Sequence, residues 1–99
     1  MNKVRYIHNE LGTEELLCQL AEECAELTQA ALKLRRVYTG KNPTPVTIEQ
    51  ATAGLLEEIA DVRLCIETLF LSDGEEATIK LTVERKTKRW ATRIQESRQ

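Results

Sequence analysis

The sequence predicts an all-α fold, an antiparallel helical bundle of three long helices forming one domain across residues 1–99, and three observations carry that prediction. Apolar residues recur at helical spacing through three long segments. No alternating strand pattern competes with them. Gly40-Lys41-Asn42-Pro43-Thr44-Pro45 is a clear break, because two prolines and a glycine this close cannot continue a helix, and Ser72-Asp73-Gly74 supplies a second.

The first helix is expected to open at Thr13 as N-cap, with Glu14 and Glu15 in the first turn, where the helix dipole favours negative charge. Leu16, Leu20, Cys24, Leu27, Ala31 and Leu34 form its apolar stripe, and it ends near Arg36 to Tyr38, ahead of Gly40. Residues 1–12 are a short helix or an arm. Thr47-Ile48-Glu49-Gln50 has the form of a capping box, with Thr47 as N-cap and Gln50 at the third helical position. The second helix then runs to about Leu71 along Ile48, Ala51, Leu55, Ile59, Val62, Ile66, Leu69 and Phe70. Ser72 or Asp73 caps a third helix that reaches about Ser97. Its apolar line is narrower: Ile79, Val83, Trp90 and Ile94.

Composition removes several classes of function. With 41% hydrophobic and 30% charged residues, the chain belongs with globular proteins rather than disordered ones. No apolar run is long enough to cross a bilayer, and Met1-Asn2-Lys3-Val4-Arg5 leads into no signal-type apolar core. The three cysteines, Cys18, Cys24 and Cys65, are odd in number and lack C-x-x-C spacing, which argues against a disulfide framework or a zinc site. The expected compartment is a reducing cytoplasm. Cys24 and Cys65 read as small apolar fillers, and Cys18 lies on the outer face. One histidine, His8, cannot build a histidine metal centre, and a di-iron bundle would need Glu-x-x-His ligands that are absent.

The net charge of -2 hides an asymmetry. Seven of the fourteen Lys and Arg residues lie between Lys80 and Arg98, whereas the two preceding helical segments carry acidic pairs. An acidic middle and a basic end suit an anionic ligand that arrives with cations, such as a nucleotide with its metal. Solvated faces that pair with each other account for the same charges. Duplex DNA is disfavoured, because there is no helix-turn-helix spacing and the acidic pairs would repel a phosphate backbone.

The acidic pairs are Glu23 with Glu26, in an E-x-x-E motif, and Glu58 with Asp61, in an E-x-x-D motif. Each spacing puts both carboxylates on one side of a helix. At roughly 100° per residue, Glu23 falls about 65° and Glu26 about 125° from the centre of the first stripe. Glu58 and Asp61 fall about 75° and about 130° from the centre of the second. Both helices therefore carry one acid at the border of the buried face and another just beyond it. Packed antiparallel, the stripes would bring the four acids within reach of each other. Their mutual repulsion is what a hard divalent cation with oxygen ligands relieves, and Mg²⁺ usually works alongside substrate phosphates. Glutamate pairs on exposed helices are the competing, purely structural explanation. On the third helix, Lys80, Arg85, Lys86 and Arg89 can neutralise phosphate oxygens or simply face water.

With Gln19-Leu20-Ala21-Glu22-Glu23-Cys24-Ala25-Glu26-Leu27 on one helix and Glu57-Glu58-Ile59-Ala60-Asp61-Val62 on the next, the chain resembles the MazG-type all-α nucleoside triphosphate pyrophosphohydrolases. The basic segment from Lys80 to Trp90 resembles that family's closing helix, and the likeness spans about residues 13 to 95. The short single-domain members of bacteria and prophages are the most similar. The resemblance implies Glu23, Glu26, Glu58 and Asp61 as ligands of Mg²⁺, with Mn²⁺ as a substitute. It implies hydrolysis of a ribo- or deoxyribonucleoside triphosphate between the α- and β-phosphates. It further implies Glu23 or Glu26 as the catalytic carboxylate that orients the attacking water, and Lys80, Lys86 and Arg89 as phosphate contacts. A homodimer or homotetramer would complete the bundle, as two broad apolar stripes on so short a chain also suggest. No membrane partner is implied. The related phosphoribosyl-ATP pyrophosphohydrolases are the alternative enzyme, and a helical interaction module is the non-enzymatic alternative.

Overall fold

Asn2, not Thr13, starts the first helix. Its backbone is extended, and its side-chain oxygen accepts the Arg5 backbone N–H at 3.0 Å. The computed structural model describes residues 1–99 as three helices: α1 (Lys3–Thr39), α2 (Ile48–Thr68) and α3 (Asp73–Ser97). Of residues 1–12, expected as a short helix or an arm, residues 3–11 are thus the first part of α1. Gly12 interrupts that helix with φ 81° and ψ 163°, a conformation that a side chain would strain. The chain resumes helical geometry after it, so glycine stands at the break and Thr13 lies inside the helical span rather than capping it.

The other boundaries follow local chemistry. Gly40 takes the left-handed conformation at φ 66° and donates its N–H to the Arg36 carbonyl at 2.9 Å, closing α1. Thr47 and Gln50 form the reciprocal capping box at 3.1 and 2.9 Å. Helix α2 stops at Thr68, short of Leu71. There the N–H groups of Leu69 and Phe70 turn back to the carbonyls of Ile66 and Glu67, each at 3.2 Å, in a tightened last turn. Phe70 then adopts φ 51°, which redirects the chain. Ser72 and Glu75 cap α3 with a second reciprocal pair at 3.1 and 2.9 Å. The backbone N–H and hydroxyl of Ser72 hold the Glu75 carboxyl below its ordinary range.

Helices α1 and α2 form an antiparallel hairpin. His8, near the start of α1, reaches the Thr68 carbonyl at the end of α2, and Arg36 and Val46 border the same hollow at the loop end. Leu16, Ala51, Cys65 and Thr68 are the buried residues of this pairing. Helix α3 packs against neither of the other two. Its apolar line, Ile79, Val83, Trp90 and Ile94, is exposed, with Trp90 66% accessible. Cys24 and Ala31, which periodicity assigns to the buried stripe, are also exposed, because nothing in the chain covers that side of α1. The radius of gyration is 17.6 Å, against about 13 Å for a compact domain of this length. One chain therefore gives the all-α class and the three expected helices, but as a hairpin with a separate third helix. No helix is long and apolar enough to cross a membrane.

Candidate metal centre

Glu23 and Glu26 lie on adjacent turns of α1, and Glu58 and Asp61 repeat that spacing on α2. A step of three residues advances a helix by about 4.5 Å while nearly completing a turn, so each pair shares a face. The antiparallel hairpin sets these faces against each other. One carboxylate oxygen from each of Glu23, Glu26, Glu58 and Asp61 lies within 4.8 Å of all the others. The two acids predicted at the stripe borders, Glu23 and Glu58, are part-buried; Glu26 is exposed and Asp61 part-buried.

The surroundings hold these groups without neutralising them. Gln19 donates its side-chain N–H to Glu23 Oε1 at 3.0 Å, which fixes that carboxylate one turn along α1. Glu23 Oε2 and Glu58 Oε2 are buried and have no hydrogen-bond partner. Buried oxygens of this kind are ordinarily paired, and leaving one unpaired is costly. Burial is the largest influence raising the Glu23 pKa above the ordinary carboxylate value, followed by a shared hydrogen bond with Glu26, and the charges of Glu26 and Asp61 add to it. The Gln19 hydrogen bond opposes the shift. Burial likewise raises Glu58, reinforced by the charges of Asp61 and Glu23. No cation is among the groups acting on either acid.

Such a donor set is all carboxylate oxygen, the class that suits hard divalent cations rather than zinc or iron–sulfur chemistry. A divalent ion held there would offset part of the repulsion among the four charges and offer a partner to oxygens that the chain leaves unpaired. Cys65 lies against the same region and is buried. Burial first, then the charges of Glu23 and Asp61, push its thiol pKa up, so it stays protonated as the apolar filler that its position suggested.

A cleft of about 730 Å³ opens beside the carboxylates, between α1 and α2, and runs toward the loop. Glu26 and Glu58 border one part of it, and Lys33 and Arg36 border another. Its size is that of a small-molecule site. From sequence, Arg36 reads only as a helix-end cation, and Lys33 belongs to no motif. The available signal was their spacing from Glu26, which keeps all three near one side of α1. The phosphate-contact residues chosen from sequence, Lys80, Lys86 and Arg89, lie on α3 and take no part in this cleft within one chain. No protein-family model, curated protein or solved structure matches this chain.

Proposed function

We propose that the protein is a Mg²⁺-dependent hydrolase that cleaves a nucleoside or deoxynucleoside triphosphate into the monophosphate and pyrophosphate, in the manner of the MazG-type enzymes it resembles. The observation that carries this reading is the meeting of four carboxylates across the α1–α2 hairpin, with two of their buried oxygens unpartnered. Glu23, Glu26, Glu58 and Asp61 would hold Mg²⁺, or Mn²⁺ in its place. When bound, the metal supplies charge neutralisation for the phosphates and lowers the pKa of a nearby water.

The chain's own groups do the rest. Gln19 keeps Glu23 oriented, and the part-buried setting of Glu23 and Glu58 strengthens every electrostatic contact made there. Glu23 and Glu26 are the carboxylates suited to orient the attacking water and accept its proton. The exposed apolar line of α3 supports a homo-oligomer in which a second copy covers it. That arrangement would be the route by which Lys80, Lys86 or Arg89 could approach the substrate.

The test is pyrophosphate release from a panel of canonical and modified nucleoside triphosphates, with Mg²⁺ or EDTA, for wild type and Glu58→Gln. Metal-dependent release that the substitution lowers by about 100-fold or more is the expected result. A folded wild-type protein that releases no pyrophosphate from any nucleotide would defeat this reading. Turnover of phosphoribosyl-ATP alone would then assign the related activity, and failure on both would leave a helical interaction module.

A further inference from the structure

The cleft beside the carboxylates has two chemically opposite ends. Glu26 and Glu58 supply negative charge where a cation would sit, and Lys33 and Arg36 supply positive charge farther along α1. We infer that Lys33 and Arg36 form the subsite for the outer phosphates of a polyphosphate chain whose inner phosphates meet the carboxylate-held cation. This assignment rests on the hydrolase reading above and adds to it the residues that receive the far end of the chain.

Helix geometry supports the reach. Lys33 follows Glu26 by about 10.5 Å along the helix axis, and Arg36 follows Lys33 by about 4.5 Å more. Long side chains on a helix tend to lean back toward its N-terminus, the direction in which Glu26 lies from both residues. The facing wall leaves room. An added Cβ at Gly54 would meet nothing within 4 Å, and Ala51 beside it is small.

Charge arithmetic points the same way. A single divalent cation leaves a triphosphate anionic, and the acids around it repel whatever phosphate charge it does not neutralise. Nearby cations must therefore take the outer oxygens, and arginine offers a forked pair of donors for that task. The Arg36 carbonyl, not its side chain, accepts the Gly40 N–H that closes α1. Removing the guanidinium thus leaves the helix cap in place.

The decisive experiment is calorimetric titration of the full chain with inorganic tripolyphosphate, with Mg²⁺ and with EDTA. Expected is Mg²⁺-dependent binding that Lys33→Gln/Arg36→Gln weakens by about 10-fold or more, with an unchanged melting temperature. Lys33→Arg should retain the affinity. Lys80→Gln/Lys86→Gln/Arg89→Gln should weaken it less than the α1 pair does. Equal affinity for wild type and the α1 double variant would overturn the assignment, as would a larger loss in the α3 variant. Absence of Mg²⁺-dependent tripolyphosphate binding by folded wild type would overturn it too. Pyrophosphate release from nucleotides, measured in parallel, reports on the hydrolase reading separately, so a failure of the subsite alone is recognisable.

Discussion

His8 donates from Nδ1 to the backbone carbonyl of Thr68 at 2.7 Å, joining two residues 60 positions apart. The contact docks the first rod of α1 onto the end of α2. There the His8 and Phe70 rings also form a T-shaped pair at 5.3 Å between centroids, and the Arg5 guanidinium lies 4.6 Å from the centre of the Phe70 ring. His8→Ala removes the donor and should cost about 1 kcal/mol, visible as a melting temperature lower by a few degrees. An unchanged melting temperature would mean that this docking contributes nothing to stability.

Without a bound cation, the repulsion among the acids should appear as a pH dependence. Glu23 and Glu58 bind protons more tightly in the fold than at the ordinary carboxylate value of 4.5. The folded state therefore holds more protons, and stability falls as pH rises from 4.5 through their raised values. In EDTA the melting temperature should decline from pH 4.5 toward neutrality, and Mg²⁺ should restore it at neutral pH. Glu23→Gln/Glu58→Gln should flatten the decline and abolish the Mg²⁺ response. A wild-type melt that ignores both pH and Mg²⁺ would count against a cation site.

The exposed line of α3 predicts self-association. Val83→Glu and Trp90→Glu place charge on that line, where wild type carries 58% and 66% accessible apolar side chains. Sedimentation should find wild type as a dimer or larger and these variants shifted to monomer. The wild-type melting temperature should rise with protein concentration. A monomeric wild type at all concentrations would mean that no second copy covers α3.

The two capping boxes offer a contrast in coupling. Thr47→Ala weakens the start of α2, which belongs to the packed hairpin, and should lower global stability by about 1 kcal/mol. Ser72→Ala weakens the start of α3, which packs on nothing in its own chain. In a monomer its effect should be confined to faster hydrogen exchange along α3. If a second copy covers α3, the same substitution should lower the melting temperature as well.

Local signals account for what the sequence revealed, and non-local ones for what it concealed. Thr47-Gln50, Ser72-Glu75 and Gly40 act within a turn of themselves, so their roles were readable from residue type and spacing. The acids of α1 and α2 were readable too, because both pairs flank apolar stripes that an antiparallel hairpin must bring together. The first part of α1 is ambiguous in the sequence, although Asn2 is a good cap and Val4, Ile7 and Leu11 keep helical spacing. Gly12 obscured it, since a glycine in that place can end a helix or merely bend one. Helix α3 makes no contact with α1 or α2, so nothing in the stripe pattern places its basic residues relative to the acids. Nothing local marks Lys33 and Arg36, because the cleft they border exists only after the hairpin forms.

The segment between Gly40 and Thr47 works as a ruler. All four acids hang on the two helices it joins, so its length fixes how far along α1 the second pair lands. A slip of one helical turn, about 5.4 Å, would carry Glu58 and Asp61 past their partners while leaving both stripes apolar. Insertions or deletions here would let the chain fold yet misplace its charges. Pro43 and Pro45 stiffen the span against that kind of drift, so a short connector sets the register in which the four carboxylates meet.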